Sequence, residues 1–296
     1  SSAFCYAIAV IGGYNNIENN TINHPGQGIV QQSTWGGAPQ PNGFNTYINN
    51  TLTGGCGLTA MVNSTVVNNT VEGAMTLNAD CTAEGNFVKN LTVNGANCIV
   101  KNNIINGPVT VAKAAQGTEM TGNVINGLVT VNSDNNIITD NGVTSTSEYA
   151  IDLKTGANNI VTDNYLFASE KSGDAAVKFA EDSNNTVKDN YPLNSDLTLI
   201  VDDVVIGEES NIQIRLTDSK GTVSGTVKIT VNGAEYNVTV TDGKGSVAVG
   251  PFEEIGTVPI VAEFVDEFHS LTIVEDELTV YGPGNVTVKH TDAGDA

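Results

Sequence analysis

Arginine is almost missing from the chain: Arg215 is the only one in 296 residues, so no guanidinium fork for phosphate or carboxylate stands before it. Basic residues number 12 against 33 acidic, and the net charge of −21 repels phosphate backbones and anionic lipid, which excludes nucleic acid as a partner. No apolar run reaches the length of a membrane span, and Ser1 opens no basic, Leu-rich leader. The chain is therefore expected to be soluble as it stands, with any export signal or anchor lying outside it. Histidine is scarce (His24, His269, His290) and no Cys-x-x-Cys occurs, which argues against zinc. With 40% hydrophobic and 15% charged residues, the composition is that of a folded chain with a core.

What is present is unevenly spread. Residues 1–133 hold five acids and three lysines, 134–196 eleven acids and four lysines, and 197–296 seventeen acids and five basic groups. Of 37 asparagines, 33 lie at or before Asn194. Two different folds are thus expected to join near residue 196, at the Pro, Asn and Ser punctuation of Tyr191-Pro192-Leu193-Asn194-Ser195-Asp196.

The first part repeats one phrase: apolar, two polar, Asn, any, apolar. Its asparagine column reads Asn20, Asn50, Asn69, Asn86, Asn102, Asn123, Asn141, Asn164 and Asn190, a period near 20 residues that signals a solenoid. Each period offers short β-branched strands such as Val109-Thr110-Val111 and Val129-Thr130-Val131, separated by Asn-Gly turns and without the leucines of a leucine-rich repeat. The all-β architecture that fits is a parallel β-helix over 1–196. Stacking at about 4.8 Å would let the column hydrogen-bond amide to amide, and nine coils would make a rod of roughly 40 Å. The phrases Asn-Asn-Ile-Glu-Asn-Asn-Thr-Ile and Asn-Asn-Ile-Val-Thr-Asp-Asn resemble the right-handed parallel β-helix repeats of the pectate-lyase-like superfamily. The Asn- and Thr-rich version followed by an immunoglobulin-like module is similar to adhesin-like surface proteins of methanogenic archaea. The fold is specific in this resemblance and the function is not, because lyases, hydrolases, tailspikes and inert stalks share it.

From Leu197 the pattern changes to alternating strands: 197–201, 211–217, 226–231, 235–241, 246–249, 258–264 and 271–280, with Asn232-Gly233 and Asp242-Gly243 as hairpin turns. This predicts a β-sandwich over 197–282. Val240-Thr241-Asp242-Gly243-Lys244-Gly245 followed by Gly256-Thr257-Val258 resembles the Ig-like modules that space partner domains on surface proteins. Residues 283–296 form a Gly- and Asp-rich tail whose Asn285-Val286-Thr287-Val288 is strand-like and could begin another module.

Candidate sites follow from the columns. The residue before the column asparagine reads Asn19, Asn49, Asn68, Gly85, Lys101, Gly122 and then Asp140, Asp163 and Asp189. Those three carboxylates form a ladder suited to Ca²⁺ or, at their spacing, to glycosidase chemistry; the alternative is ordinary turn chemistry on a solvated corner. No other cofactor is indicated. Pectate lyases of the superfamily use an arginine base and Ca²⁺ on clustered aspartates, and residues 1–196 hold no arginine, so that mechanism does not carry over. His24 beside Pro25 reads as a loop residue. Trp35, Phe44 and Tyr47 cluster in the longest coil, where Trp35 and Tyr47 either bind a sugar or, for the tryptophan, cover the core. Cys81 and Cys98 fall at nearly equivalent places on consecutive coils, which predicts a disulfide, with Cys5–Cys56 as the remaining pair and an oxidising compartment implied. Glycosylation sequons stand at Asn19, Asn49, Asn63, Asn68, Asn90, Asn184, Asn237 and Asn285.

Taken together, the sequence points to a non-enzymatic extracellular protein of the cell surface, an adhesin or coat component. Its expected partners are surface glycans or other surface proteins. The rivals are a filament subunit that self-associates by terminal strand exchange and a polysaccharide lyase or hydrolase using Asp140, Asp163 and Asp189. The filament reading rests on the apolar strand Phe4 to Ile11, which lacks any Lys or Pro to blunt its edge.

Overall fold

The computed structural model describes residues 6–32, 34–35, 38–39 and 43–284, with backbone alone at 31–32, 34–35 and 38–39. The chain divides into two compact units, 1–192 and 193–296. The joint falls four residues before the expected one because Ser195 already pairs with Asp218 at the start of a strand of the second unit.

The first unit is a parallel β-solenoid. One sheet has nine strands of three residues, from Asn16–Glu18 through Thr65–Val67, Ile99–Lys101 and Ile137–Thr139 to Thr186–Lys188. A 15-stranded sheet wraps the other faces. Among the described residues the pairings between coils are parallel, in register along the nine-stranded sheet as in Thr65↔Thr82↔Ile99↔Glu119, with one register shift where Thr70–Leu77 meets Phe87–Val93, between Val71 and Ala74. Each three-residue strand turns its middle residue inward, so Ile17, Tyr47, Val66, Ala83, Val100, Met120, Ile138 and Val161 form one buried column. Ile22, Leu52, Val71, Val88, Ile105, Ile125, Val143 and Leu166 form the second. Pairs such as Leu91/Val93, Val109/Val111 and Val129/Val131 close the third side of the core. At about 1.5–3 kcal/mol for each fully buried aliphatic side chain, these columns are the main driving force for stacking.

Two ladders of inward polar side chains flank the nine-stranded sheet. The first runs Asn20, Asn50, Asn69, Asn86, Asn103, Asn123, Asn141, Asn164 and Asn190, joined amide to amide at 2.8–3.0 Å. Asn123 shows the wiring. Its Oδ1 accepts from the backbone N–H and the Nδ2 of Asn103, both at 2.9 Å, while its Nδ2 donates to Asn141 Oδ1 and the Val100 carbonyl, both at 2.8 Å. Both lone pairs and both amide hydrogens are used, which is what makes a polar column tolerable at 1% exposure. The ladder also has a direction, and its last member is capped: Asp174, in the 3₁₀ turn Gly173–Ala176, accepts from the backbone N–H and Nδ2 of Asn190 at 3.0 and 2.7 Å.

Asn102 does not belong to this column. It is exposed and left-handed (φ 56°), and the inward position is taken by Asn103. The Asn102-Asn103 doublet satisfies the repeat phrase in either register, and the sequence reading took the wrong member.

The second ladder was not foreseen. It lies five residues ahead of the first in every coil: Asn15, Asn45, Ser64, Cys81, Cys98, Thr118, Asn136, Asn159 and Asn185. Asn15 donates through N–H and Nδ2 to Asn45 Oδ1, Asn45 N–H to Ser64 Oγ, Thr118 N–H to Asn136 Oδ1, and Asn136 N–H and Nδ2 to Asn159 Oδ1. Cysteine, serine and threonine replace asparagine in its middle.

The second unit is all-β and packs two sheets on its own core, which includes Ile212, Ile214, Val227, Ile229, Ile260, Phe264 and Leu278. Ser195–Ile200, Ser210–Asp218 and Lys244–Val249 form one antiparallel sheet with the short Gly221–Thr222. The other follows the order Val204–Val205, Thr272–Tyr281, Gly256–Phe264, Gly225–Val231, Ala234–Val240. All seven expected strands are present within two residues at most of their ends; Val204–Val205, which pairs parallel with Thr272–Tyr281, is an addition. The tail with Asn285 lies outside the described residues.

Candidate functional site

The carboxylate column is a property of the corner. Ahead of every first-ladder asparagine the backbone is left-handed: Asn19, Asn49, Asn68, Gly85, Asn102, Gly122, Asp140, Asp163 and Asp189 all have φ between 53° and 66°. Asn, Asp and Gly are the residues that enter this region at low cost, which explains the composition of the column without any ligand. The glycines interlock with their neighbours: a Cβ on Gly85 would lie 2.5 Å from Asn68 Oδ1, and one on Gly122 would lie 2.4 Å from Asn102 Oδ1. Asp140 Oδ2 takes a bond from its neighbour Thr139 at 3.3 Å, and Asp189 pairs with Lys188 at 3.5 Å. Among the described residues no three His, Cys, Asp or Glu side chains come together in a group that could hold a metal ion, so the proposed Ca²⁺ ligands Asp140, Asp163 and Asp189 are not assembled as a site.

Tyr47 is corrected outright. It is fully buried in the inward column between Ile17 and Val66, its burial holding the phenol far above its ordinary value, and no ligand can reach it. Phe44 is left-handed and stacks on Tyr14 with ring centroids 5.0 Å apart. The side chain of Trp35 lies outside the described residues. His24 is a loop residue whose Nδ1 accepts from the Gly26 N–H at 3.0 Å.

The disulfide is not formed. Cys56, Cys81 and Cys98 are free, buried thiols, and Cys5 lies outside the described residues. Cys81 and Cys98 do occupy equivalent positions on consecutive coils, but as members of an in-register column their side chains point the same way about one coil step apart, where a bridge needs them to converge. Each sulfur instead serves the ladder. Cys81 Sγ donates to the Met61 carbonyl at 2.8 Å and Cys98 Sγ to the Asn78 carbonyl at 2.9 Å, while the backbone of Ser64 bonds the first and that of Cys81 the second. Burial pushes the Cys81 thiol up to about 12 and raises Cys98 and Cys56 as well. The thiolate is the nucleophile, so none of the three should react with iodoacetamide at pH 8 in the folded chain, and all should react in denaturant. Mass spectrometry of an unreduced digest after labelling in each state checks this; a Cys81–Cys98 bridged peptide would contradict it.

Of the sequon asparagines, Asn19, Asn49, Asn63, Asn68, Asn184 and Asn237 are exposed and Asn90 is half-buried. Asn184 uses its Nδ2 on Asn158 Oδ1 at 2.7 Å.

Two features escaped the sequence reading. His269, 7% exposed, is held between two carboxylates, Nδ1 at 2.7 Å from Asp266 Oδ1 and Nε2 at 3.1 Å from Asp218 Oδ2, with the Phe264 ring 5.4 Å away. It ties the loop between two strands of one sheet to Ser210–Asp218 of the other, and the 51-residue separation of His269 from Asp218 gave no local signal. The other feature is an exposed apolar column directly after the first ladder: Phe87, Ile104, Val124, then Gly142, then Tyr165, in register from coil to coil, with Tyr191 stacked on Tyr165 at 4.7 Å. The outward step of two from the corner residues makes this column readable once the ladder register is known.

No family model matches the chain, and no curated protein matches it. Among solved structures, it is similar to the chitinase ChiW from Paenibacillus sp. str. FPU-7, described as a bacterial cell-surface-expressed multi-modular enzyme machinery, at 12% identity with a TM-score of 0.26. That likeness covers 92% of this chain and 23% of the other, so this chain spans under a quarter of that protein's length. Among the described residues no helix is long and apolar enough to cross a membrane.

Proposed function

We propose that the chain is a display rod of the extracellular cell surface: a right-handed parallel β-helix of the pectate-lyase-like kind, joined to an Ig-like spacer, that presents its outer columns to surface glycans or other surface proteins without turning them over. The observation that carries this reading is the double ladder. Two polar columns and two left-handed corner columns repeat through nine coils, so the side chains with catalytic chemistry, Asp140, Asp163 and Asp189, stand where the corner demands Asn, Asp or Gly. The spacer reading rests on strand order: three long strands in one sheet face a second sheet in which a short early strand pairs parallel with the last one, the arrangement by which an Ig-like first strand changes sheets. Incubating the full chain with pectin, alginate and neutral glycans should give no unsaturated or reducing-end product above background. Turnover abolished by Asp163→Asn would replace this reading with that of an enzyme.

One observation favours the filament as a second reading. Tyr6–Ile11 pairs with Gln27–Gln32 on one side, and among the described residues nothing pairs with its other edge, an open strand that invites β-addition. Images of the native particle separate a filament from an isolated rod.

A further inference from the structure

Gly142 breaks a column that is otherwise filled. Thr70, Phe87, Ile104 and Val124 precede it in register, and Tyr165 and Tyr191 follow. The glycine is not there for the backbone, since it lies in the extended strand Gly142–Thr144 and has no positive φ. Nor is it there for want of room, because a Cβ at this position would meet nothing within 4 Å. A glycine inside a strand with neither reason marks a place where something else comes close. The result is a slot one coil wide, floored by the Gly142 backbone. Val124, 50% exposed, forms one wall and Tyr165, 40% exposed, the other. Tyr165 stacks its far face on Tyr191 with the rings 16° from parallel, which braces the ring and leaves its near face to the slot.

Width and rim define the occupant. The walls are two coil steps apart, about 9.5 Å. A flat aromatic ring touching both walls needs only about 7–8 Å between them, and a puckered saturated ring takes up the remainder. Polar side chains stand on both rims: Asp140 and Asp163 two residues before Gly142 and Tyr165, and Thr144 and Asn126 two residues after Gly142 and Val124, with the exposed Phe167 next to Thr144 two residues after Tyr165. Apolar faces with hydrogen-bonding edges are the chemistry of a pyranose ring. Two carboxylates on one rim, in a chain of net charge −21, repel uronates and favour a neutral sugar. The column is too narrow for a protein partner: Phe87, Ile104, Val124 and Tyr165, each 40–50% exposed, offer well short of the roughly 800 Å² that one side of a stable interface buries.

We infer that the slot over Gly142, between Val124 and Tyr165, binds a pyranose ring of a neutral glycan. The inference deepens the display reading and rests on it, by naming the site and the ligand class. The full chain is titrated with neutral hexaoses of glucose, mannose, xylose and N-acetylglucosamine, and with oligogalacturonate, following the Val124 methyl and Tyr165 ring resonances. At least one neutral glycan should shift both resonances, and oligogalacturonate should not. Gly142→Val should weaken binding at least about tenfold while leaving the melting temperature unchanged or higher, since valine restores the column. Tyr165→Ala should lose binding as well. Three results overturn the inference: no neutral glycan binding at about 10 mM, equal binding by Gly142→Val, or occupancy by a free indole or phenol probe alone, which would assign the slot to a protein side chain. None of these touches the turnover assay, so the display reading stands or falls separately.

Discussion

Replacing Asn123 by alanine should destabilise the rod by about 3 kcal/mol or more, and Asn102→Gly by well under 1 kcal/mol. The first change removes the acceptor for two donors of Asn103 and the donor to Asn141 Oδ1, leaving groups unsatisfied in a column of 1% exposure; each such loss costs about 1–3 kcal/mol. The second keeps a residue that enters the left-handed region freely and removes an amide already in water. Denaturant titration of the two variants beside the parent checks the contrast. Equal losses would mean that the ladder adds nothing beyond its own desolvation.

His269→Leu should destabilise the second unit by about 3 kcal/mol, with the first unit's protection from amide exchange unchanged. The imidazole is the hydrogen-bonding partner of Asp218, whose side chain is 9% exposed, and of Asp266. Asp218 Oδ1 still holds the Lys220 and Gly221 N–H groups at 2.8 Å, but Oδ2 would face a leucine. Removing one member of a buried charged or charge-assisted set leaves the other uncompensated, at a cost of about 3–5 kcal/mol. Hydrogen exchange resolved by peptide separates the two units. Loss of protection confined to 266–270, with the sheets intact, would show that the contact is local.

Much of the fold was legible because stacking converts a physical demand into a column of letters. The inward apolar position three residues before each ladder asparagine, the Asn, Asp or Gly corner one residue before it, and the alternation after Leu197 are all visible as text. The errors come from positions where the text is degenerate. At Asn102-Asn103 either residue fits the phrase, and only the fixed spacing of five from Cys98 to Asn103, matching Asn45 to Asn50 and Asn136 to Asn141, selects the second. With Asn102 in the column, Cys81 would stand five residues before its asparagine and Cys98 only four, a disagreement that itself marks the register error. The second ladder was hidden because Ser64, Cys81, Cys98 and Thr118 do not look like asparagine, although each offers a sulfur or hydroxyl at the same place. The same oversight produced the disulfide: cysteines matched by register were taken for partners, when register itself sets their side chains parallel. Tyr47 was grouped with Trp35 by proximity in sequence, whereas its place three before Asn50 assigns it inward with Val66 and Ile17. The slot at Gly142 could not be read from single letters, because a glycine has meaning there only beside the bulky residues of the coils above and below.

The invariant five-residue block between the two ladders has a consequence for how such a chain can change length. Successive first-ladder asparagines are separated by as few as 17 residues and as many as 30, yet the block itself never varies. All of the slack is taken up between one block and the next, where a longer closed loop adds little entropic penalty. A foreign segment grafted at 146–149, between the strands Gly142–Thr144 and Ile151–Asp152, would thus enter where the protein already accommodates irregularity. A single residue inserted between Asn136 and Asn141 would instead throw every following side chain of that coil onto the opposite face.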